Sequence, residues 1–269
     1  VILAKVAKKI TGLDGHMTLP KTPSLRLDGK RAFVPGGSRG IGLACAVALA
    51  EAGAHVVIAA RSAGQVEEAA GEMRAAGFSA EGVALDVTDL AAVQQVFDDH
   101  GAFDVLCNSA GLARHGPSAE TRPEDFDAVS SVNLKSAYFM AQRAAADMKG
   151  LGGGSIITIS SQMGHVGGIE RAVYCATKHG VEGMTKAMAI EFGPDNVRIN
   201  TICPTFIRTP LTEATFRNPD RLAWIQSKIK LDRVGAVEDI MGPVVFLASD
   251  ASSLITGTSL LVDGGWTAG

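Results

Sequence analysis

Residues 36–42 read Gly-Gly-Ser-Arg-Gly-Ile-Gly, led in by Arg-Ala-Phe-Val at 31–34 and followed by an apolar, helix-forming stretch to about Ala52. A glycine-rich turn between a strand and a helix lets the backbone approach a phosphate closely. It also leaves N–H groups free at the helix N-terminus. The strand-then-helix unit recurs along the chain. Strands are expected at 31–34, 55–60, 81–85, 103–107, 155–160, 197–202 and 259–265, with helical stretches between them. There are no internal repeats and no linker. Such alternation gives an α/β domain with a doubly wound parallel sheet.

A second pattern carries chemistry. Residues 155–160 (Ser-Ile-Ile-Thr-Ile-Ser) read as a buried strand, which puts Ser161 at the carboxyl end where open α/β sheets place their ligands. Tyr174 and Lys178 are four residues apart, so on a helix they share one face. An unshifted phenol has a pKa of about 10, too high for acid/base work at neutral pH. A cation one turn away favours the phenolate, and about three units would be worth roughly 4 kcal/mol. Spacing alone leaves a second reading open, in which Tyr174 and Lys178 are an ordinary exposed pair and Ser161 is a helix cap.

Composition narrows the classes. The chain has 269 residues, 46% hydrophobic and 20% charged, enough for one large domain with a sizeable core. A net charge of −3 argues against a nucleic-acid footprint or a basic membrane patch. No uninterrupted apolar run reaches the roughly 20 residues that cross a bilayer. Cys45, Cys107, Cys175 and Cys203 are far apart, with no CxxC and no nearby histidine pairing. No metal site is therefore expected, and reduced, buried thiols of a cytoplasmic protein are the reading. Residues 1–22 stand apart: 1–10 are basic and amphipathic, and His16-Met17 looks like a cloning junction. They are read as a leader or cloning-derived extension without order, and 23–269 as the domain.

Ser161 with Tyr174-xxx-Lys178 resembles the active-site signature of the short-chain dehydrogenase/reductases, a likeness running from about Leu25 onward. Ser160-Ser161-Gln162, the segment 173–178, the segment 183–189 and Cys203-Pro204-Thr205 are most similar to the L-xylulose/dicarbonyl reductases, with gluconate-type and other polyol dehydrogenases close behind. The resemblance implies a single Rossmann-type domain of about seven parallel strands in the order 3-2-1-4-5-6-7. It implies Tyr174 as acid/base, Ser161 bonding the reacting oxygen, and Lys178 binding ribose and lowering the phenol's pKa. Asn133, within a long helix from about Pro123 to Met148, would distort that helix and hold a water beside the lysine.

Cofactor contacts follow likewise. Gly36, Ser38, Gly40, Ile41 and Gly42 would cradle the pyrophosphate, with Arg39 closing on a 2′-phosphate from the same turn; Asp86 and Val87 would meet the adenine, and Asn108, Ala110 and Gly111 the ribose. Tyr174 and Lys178 would also touch the cofactor, and Pro204, Ile207 and Thr209 would meet the carboxamide. Pro35, Ser109 and Thr205 depart from the family pattern. Where an NAD site usually has an acid, the second strand ends in Ala60-Arg61-Ser62, and a guanidinium suits a 2′-phosphate. NADP(H) is the expected cofactor, with NAD as the alternative. Residues 211–233 would form a helical lid whose Phe216, Arg217, Arg221 and Trp224 either face substrate or pack the lid itself. Small and apolar residues on two helices (Ala137, Ala141, Ala145, Val181, Met184 and Met188) would supply a second buried face, and with it a homotetramer. Two other functions compete: a 3-oxoacyl-carrier-protein reductase, for which Arg171, Arg217 and Arg221 would supply a docking surface, and a non-catalytic nucleotide-binding protein.

Overall fold

The computed structural model describes residues 19–269, so the reading of 1–18 lies outside the described residues. Residues 19–22 are exposed and without regular structure. Seven parallel strands form one sheet: β1 (Arg31–Pro35), β2 (His55–Ala60), β3 (Ala80–Ala84), β4 (Val105–Asn108), β5 (Gly154–Ile159), β6 (Val197–Pro204) and β7 (Ser259–Val262). Their spatial order is β3-β2-β1-β4-β5-β6-β7, as the resemblance implied. Four of these strands lie within a residue of their expected bounds; β4 starts two residues later, β6 runs two residues further and β7 ends three residues earlier.

Helices cover both faces. On one lie α1 (Gly40–Glu51) and α2 (Ala63–Ala75), packed with the later helix α9 (Glu238–Ala248) around Val34, Cys45, Leu49, Ile58, Val66, Ile240 and Val244. The α1 sequence is nearly all small and apolar, and alanines let it settle closely onto the sheet. On the other face lie α3 (Leu90–His100), α4 (Pro123–Ser130), α5 (Ser136–Gly150) and α6 (Ala172–Phe192). The core there is built on Phe33, Phe97, Phe103, Met140, Met148 and Ile156. Phe33 stacks on Phe103 at 5.2 Å, and Phe97 meets both edge-on at 5.6 Å.

The helix through Asn133 is distorted, as the resemblance implied. Ser131–Lys135 form a π-turn between α4 and α5, a device that appears often at functional sites. The lid is less helical than expected. Two short helices, α7 (Glu213–Phe216) and α8 (Pro219–Lys228), are broken apart where Asn218 caps α8 and Pro219 occupies its first turn. Among the described residues no helix is long and apolar enough to cross a membrane.

β1 has β2 on one side and β4 on the other, so the order of strands reverses there. The carboxyl ends of β1, β4, β5 and β6 all open on the same edge of the sheet, where a ligand crevice is expected.

Candidate active site

The glycine turn after β1 is shaped by close contacts. Gly36 (φ +80°) and Gly40 (φ +56°) take left-handed backbone that other residues rarely adopt. A Cβ on Gly42 would lie 2.0 Å from the Gly36 carbonyl oxygen, and one on Gly36 would lie 2.7 Å from Ser109. The turn is thus folded on itself and against the loop after β4. Pro35 does not break it: its carbonyl accepts from Ser109 N at 2.9 Å, while Gly36 N donates to Ala59. The N-terminus of α1 has no side-chain cap and no acidic residue in its first turn. Its free N–H groups and partial positive charge fit a pyrophosphate.

Other expected contacts converge on this turn. Gly40 approaches Thr209, with 3.5 Å from its Cβ position to the threonine side chain. Thr209 and Thr212 hydroxyls lie 3.1 Å apart, and Thr212 donates to the Ile207 carbonyl at 2.6 Å. Asn108 is 2% exposed; its Oδ1 accepts from Ala110 N, and its Nδ2 has no partner among the described residues. That unspent buried donor fits a ribose hydroxyl. Arg39 and Arg61 are exposed, and Arg61 lies near enough to Asp86 to help hold that carboxyl below its usual range. The larger cause is Thr88, whose N–H and hydroxyl both donate to Asp86. The residues present therefore fit a dinucleotide.

Ser161, Tyr174 and Lys178 meet at the carboxyl end of β5. Lys178 is 4% exposed, which removes the exposed-pair reading. Its Nζ donates to the Ile159 carbonyl at 2.8 Å and lies 5.6 Å from the Tyr174 ring centre. Burial pushes the ammonium down to about 8, opposed by the Cys203 and Glu182 side chains. Ser161 does act as a cap, accepting from Met163 N at 3.1 Å while donating to Gln162 Oε1 at 2.9 Å. Gln162 in turn donates to Thr205 at 3.3 Å, so the Ser161 hydroxyl is held by a chain of side chains. Burial raises the pKa of the Tyr174 phenol, with Ser161 and then Arg171 pulling it down by less.

Asn133, 2% exposed, is committed on both amide atoms. Oδ1 accepts from Leu112 N at 2.7 Å; Nδ2 donates to Leu112 O at 2.9 Å and to Thr177 Oγ1 at 3.2 Å. Its side chain therefore ties the loop after β4 to α6 rather than reaching toward Lys178.

Three further residues went unread in the sequence. Cys203 Sγ lies 3.5 Å from His165 Nε2, and with Glu182 they bring three donor types within 4.8 Å, correcting the expectation that no cysteine had a histidine neighbour. Glu182 is buried and accepts from Thr201 Oγ1 at 2.9 Å, from Ser259 and from the Cys203 thiol. That thiol is pushed up to about 12 by burial and then by Glu182, so it stays protonated and serves as a donor. The third is His115, which stands edge-on to Tyr174 at 5.7 Å. In the lid, Phe216 turns inward onto Ile225 and Ile229 instead of facing substrate, with Arg208 over its ring.

The family model described as enoyl-(acyl carrier protein) reductase matches residues 36–267. The D-threitol dehydrogenase of Mycolicibacterium smegmatis is 38% identical over 246 residues, covering 90% of this chain and 94% of that protein. The L-xylulose reductase of Bos taurus is 36% identical, covering 91% and 99%. A gluconate 5-dehydrogenase from Burkholderia cenocepacia, solved in complex with NADP and tartrate, superposes with a TM-score of 0.87 at 35% identity, covering 91% and 98%. A fold shared over nine-tenths of its length, with the same sheet order and the Ser-Tyr-Lys cluster at its crevice, places the chain in the short-chain dehydrogenase/reductase family.

Proposed function

We propose that the chain is an NADP(H)-dependent oxidoreductase that interconverts a ketone and a secondary alcohol on a small sugar, polyol or dicarbonyl compound. The observation carrying this is the convergence of Ser161, half-buried Tyr174 and buried Lys178 on one crevice at the end of β5. The nicotinamide, when bound, supplies or accepts the hydride. Gly36, Gly40 and Gly42 with the α1 N-terminus would hold its pyrophosphate, Arg61 a 2′-phosphate, and Asn108 and Lys178 ribose hydroxyls. Tyr174, held protonated by burial, donates its proton to the carbonyl oxygen in reduction and takes it back in oxidation. Ser161, whose single O–H is given to Gln162 in this structure, would turn it to that oxygen as charge develops there. Asn133 holds the Leu112 backbone and α6 in register around them. Relatives and neighbours that act on threitol, xylulose or gluconate, one holding NADP, support this class of substrate and cofactor. Four buried free thiols favour a cytoplasmic setting, and the apolar outer face of α5 a homotetramer.

Tyr174→Phe tests the mechanism. Turnover should fall at least about a thousandfold while NADPH still binds, because the phenol acts in the chemical step. Near-normal turnover of that variant, followed at the reduced cofactor's absorbance, would refute the role.

A further inference from the structure

Two groups meet beside Tyr174 at the mouth of the crevice and the charge of a third reaches both, each from a different segment. His115 comes from the loop after β4, Arg171 from the residue preceding α6, and Arg221 from α8. Arg171 Nη1 donates to His115 Nε2 at 2.7 Å, and the His115 ring stands edge-on to Tyr174 at 5.7 Å. Arg171 is half-buried, its guanidinium 5.3 Å from the centre of the Phe206 ring. Arg221 is close enough that its charge acts on both His115 and Arg171.

Among the described residues, neither arginine has a carboxylate within 4 Å, in contrast to Arg114, Arg122, Arg143, Arg208 and Arg233. Unbalanced positive charge is disfavoured when drawn in from water, yet the chain here is moulded to hold it. Glu170, just before Arg171, takes left-handed backbone (φ +59°), an unfavourable choice for a residue with a side chain. A Cβ on Gly168 would meet the Arg171 stem at 2.8 Å and Met163 at 2.9 Å. Partial burial, then Arg171 and Arg221, hold His115 down to about 4, so at neutral pH it is an uncharged acceptor for one Arg171 N–H. The remaining guanidinium donors stay available as a planar fork. The first turn of the 21-residue α6 holds no acid, which adds its dipole to the same sign.

We propose that Arg171, supported by His115 and Arg221, binds a carboxylate on the substrate, so that the alcohol oxidised is one of a polyhydroxy acid rather than of a neutral polyol. This rests on the oxidoreductase reading above and names the substrate class within it. A carrier-protein docking surface is disfavoured because Arg171 lies inside the mouth, against Tyr174 and Phe206. Arg217, another candidate for that surface, is exposed just after α7, 3.9 Å from Glu213.

The test compares D-gluconate with D-glucitol, the same carbon chain with and without the carboxylate, as substrates with NADP+. Wild type should favour gluconate, and Arg171→Gln should cut the gluconate-to-glucitol ratio of kcat/KM about tenfold or more, as expected for loss of a charge-assisted pair. Arg221→Gln should shift the ratio the same way by less. Calorimetric titration of both compounds into NADP+-saturated protein separates the two readings. Gluconate binding that Arg171→Gln abolishes, without turnover of either compound, would support the carboxylate site and overturn the oxidoreductase reading. Glucitol turned over as well as gluconate, with the ratio unmoved in Arg171→Gln, would overturn the carboxylate site and leave the oxidoreductase reading standing. Arg171-dependent turnover of acetoacetyl thioesters with no binding of gluconate would overturn the site in favour of a carrier substrate.

Discussion

Arg61 is one residue where the sequence spoke directly: no acid ends β2, and a guanidinium stands there instead. Arg61→Ala should raise the KM for NADPH about tenfold or more while moving that for NADH little, since only the former offers a phosphate for the fork. A wild-type preference for NADH in steady-state kinetics would show the site to be misread. Lys178 gives a pH signature. Its folded value is about 8 against an ordinary 10.5, because burial disfavours the ammonium. Between those values the unfolded chain holds a proton that the folded chain has released, so stability from this group rises with pH. Below about pH 8 the penalty of the buried charge is present in full. Lys178→Met should therefore be the more stable protein at pH 7, by up to roughly 3 kcal/mol, and lose most of that advantage by pH 10. Urea unfolding at the two pH values measures it; a gap independent of pH would rule out a shifted lysine. The catalytic candidates were legible because their spacing is local to one helix and one strand end. The phenol's upward shift was not, because desolvation depends on what covers a group, which spacing does not report. His115 and His165 escaped notice for a related reason: their partners Arg171 and Cys203 are 56 and 38 residues away.

At the scale of elements, periodicity and turn chemistry placed the strands and the helices α1 to α3 closely. Asp89 caps α3 through Ala91 and Ala92, as its position before an apolar helix indicates. The π-turn at Asn133 and the broken lid were harder, since each is decided by tertiary partners. The pull of Leu112 on both ends of one amide is a contact across 21 residues. The assembly argument needs correcting at this scale. Ala137, Ala141, Ala145, Val181 and Met188 are all buried within the protomer, packed on its own sheet, so they cannot supply a second face. Other residues do. Phe126 is 49% and Tyr138 40% exposed, and Leu134, Tyr138 and Phe139 line an open groove along the π-turn and the start of α5. Aromatic groups left in water on a helix face mark a contact surface, and a face built along one helix pair suits a two-fold axis. Light scattering should report four chain masses, and Tyr138→Glu should reduce the particle size; a wild-type monomer at micromolar concentration would refute the assembly.

For the whole molecule, the order of the strands sets the order in which the molecule can come into being. β1 pairs with β2 across a short connection, but its other neighbour is β4, whose Val105 and Leu106 lie opposite Ala32 and Phe33. Pairings of such separation slow folding, because the intervening chain must be ordered before they form. During synthesis at about 5–20 residues per second, the interval between β4 and the end of β7 lasts roughly ten to thirty seconds. Through that interval a half-sheet of β3, β2, β1 and β4 can exist with the glycine turn already closed on Ser109. Its growing edge is Val105-Leu106-Cys107, apolar on both faces and awaiting β5 for roughly the first three to ten seconds of that interval. An open, apolar edge of this kind pairs readily with any other extended chain. The nascent protein is therefore most vulnerable to aggregation after its nucleotide cradle has formed and before β5, the strand that leads to Ser161, has been made.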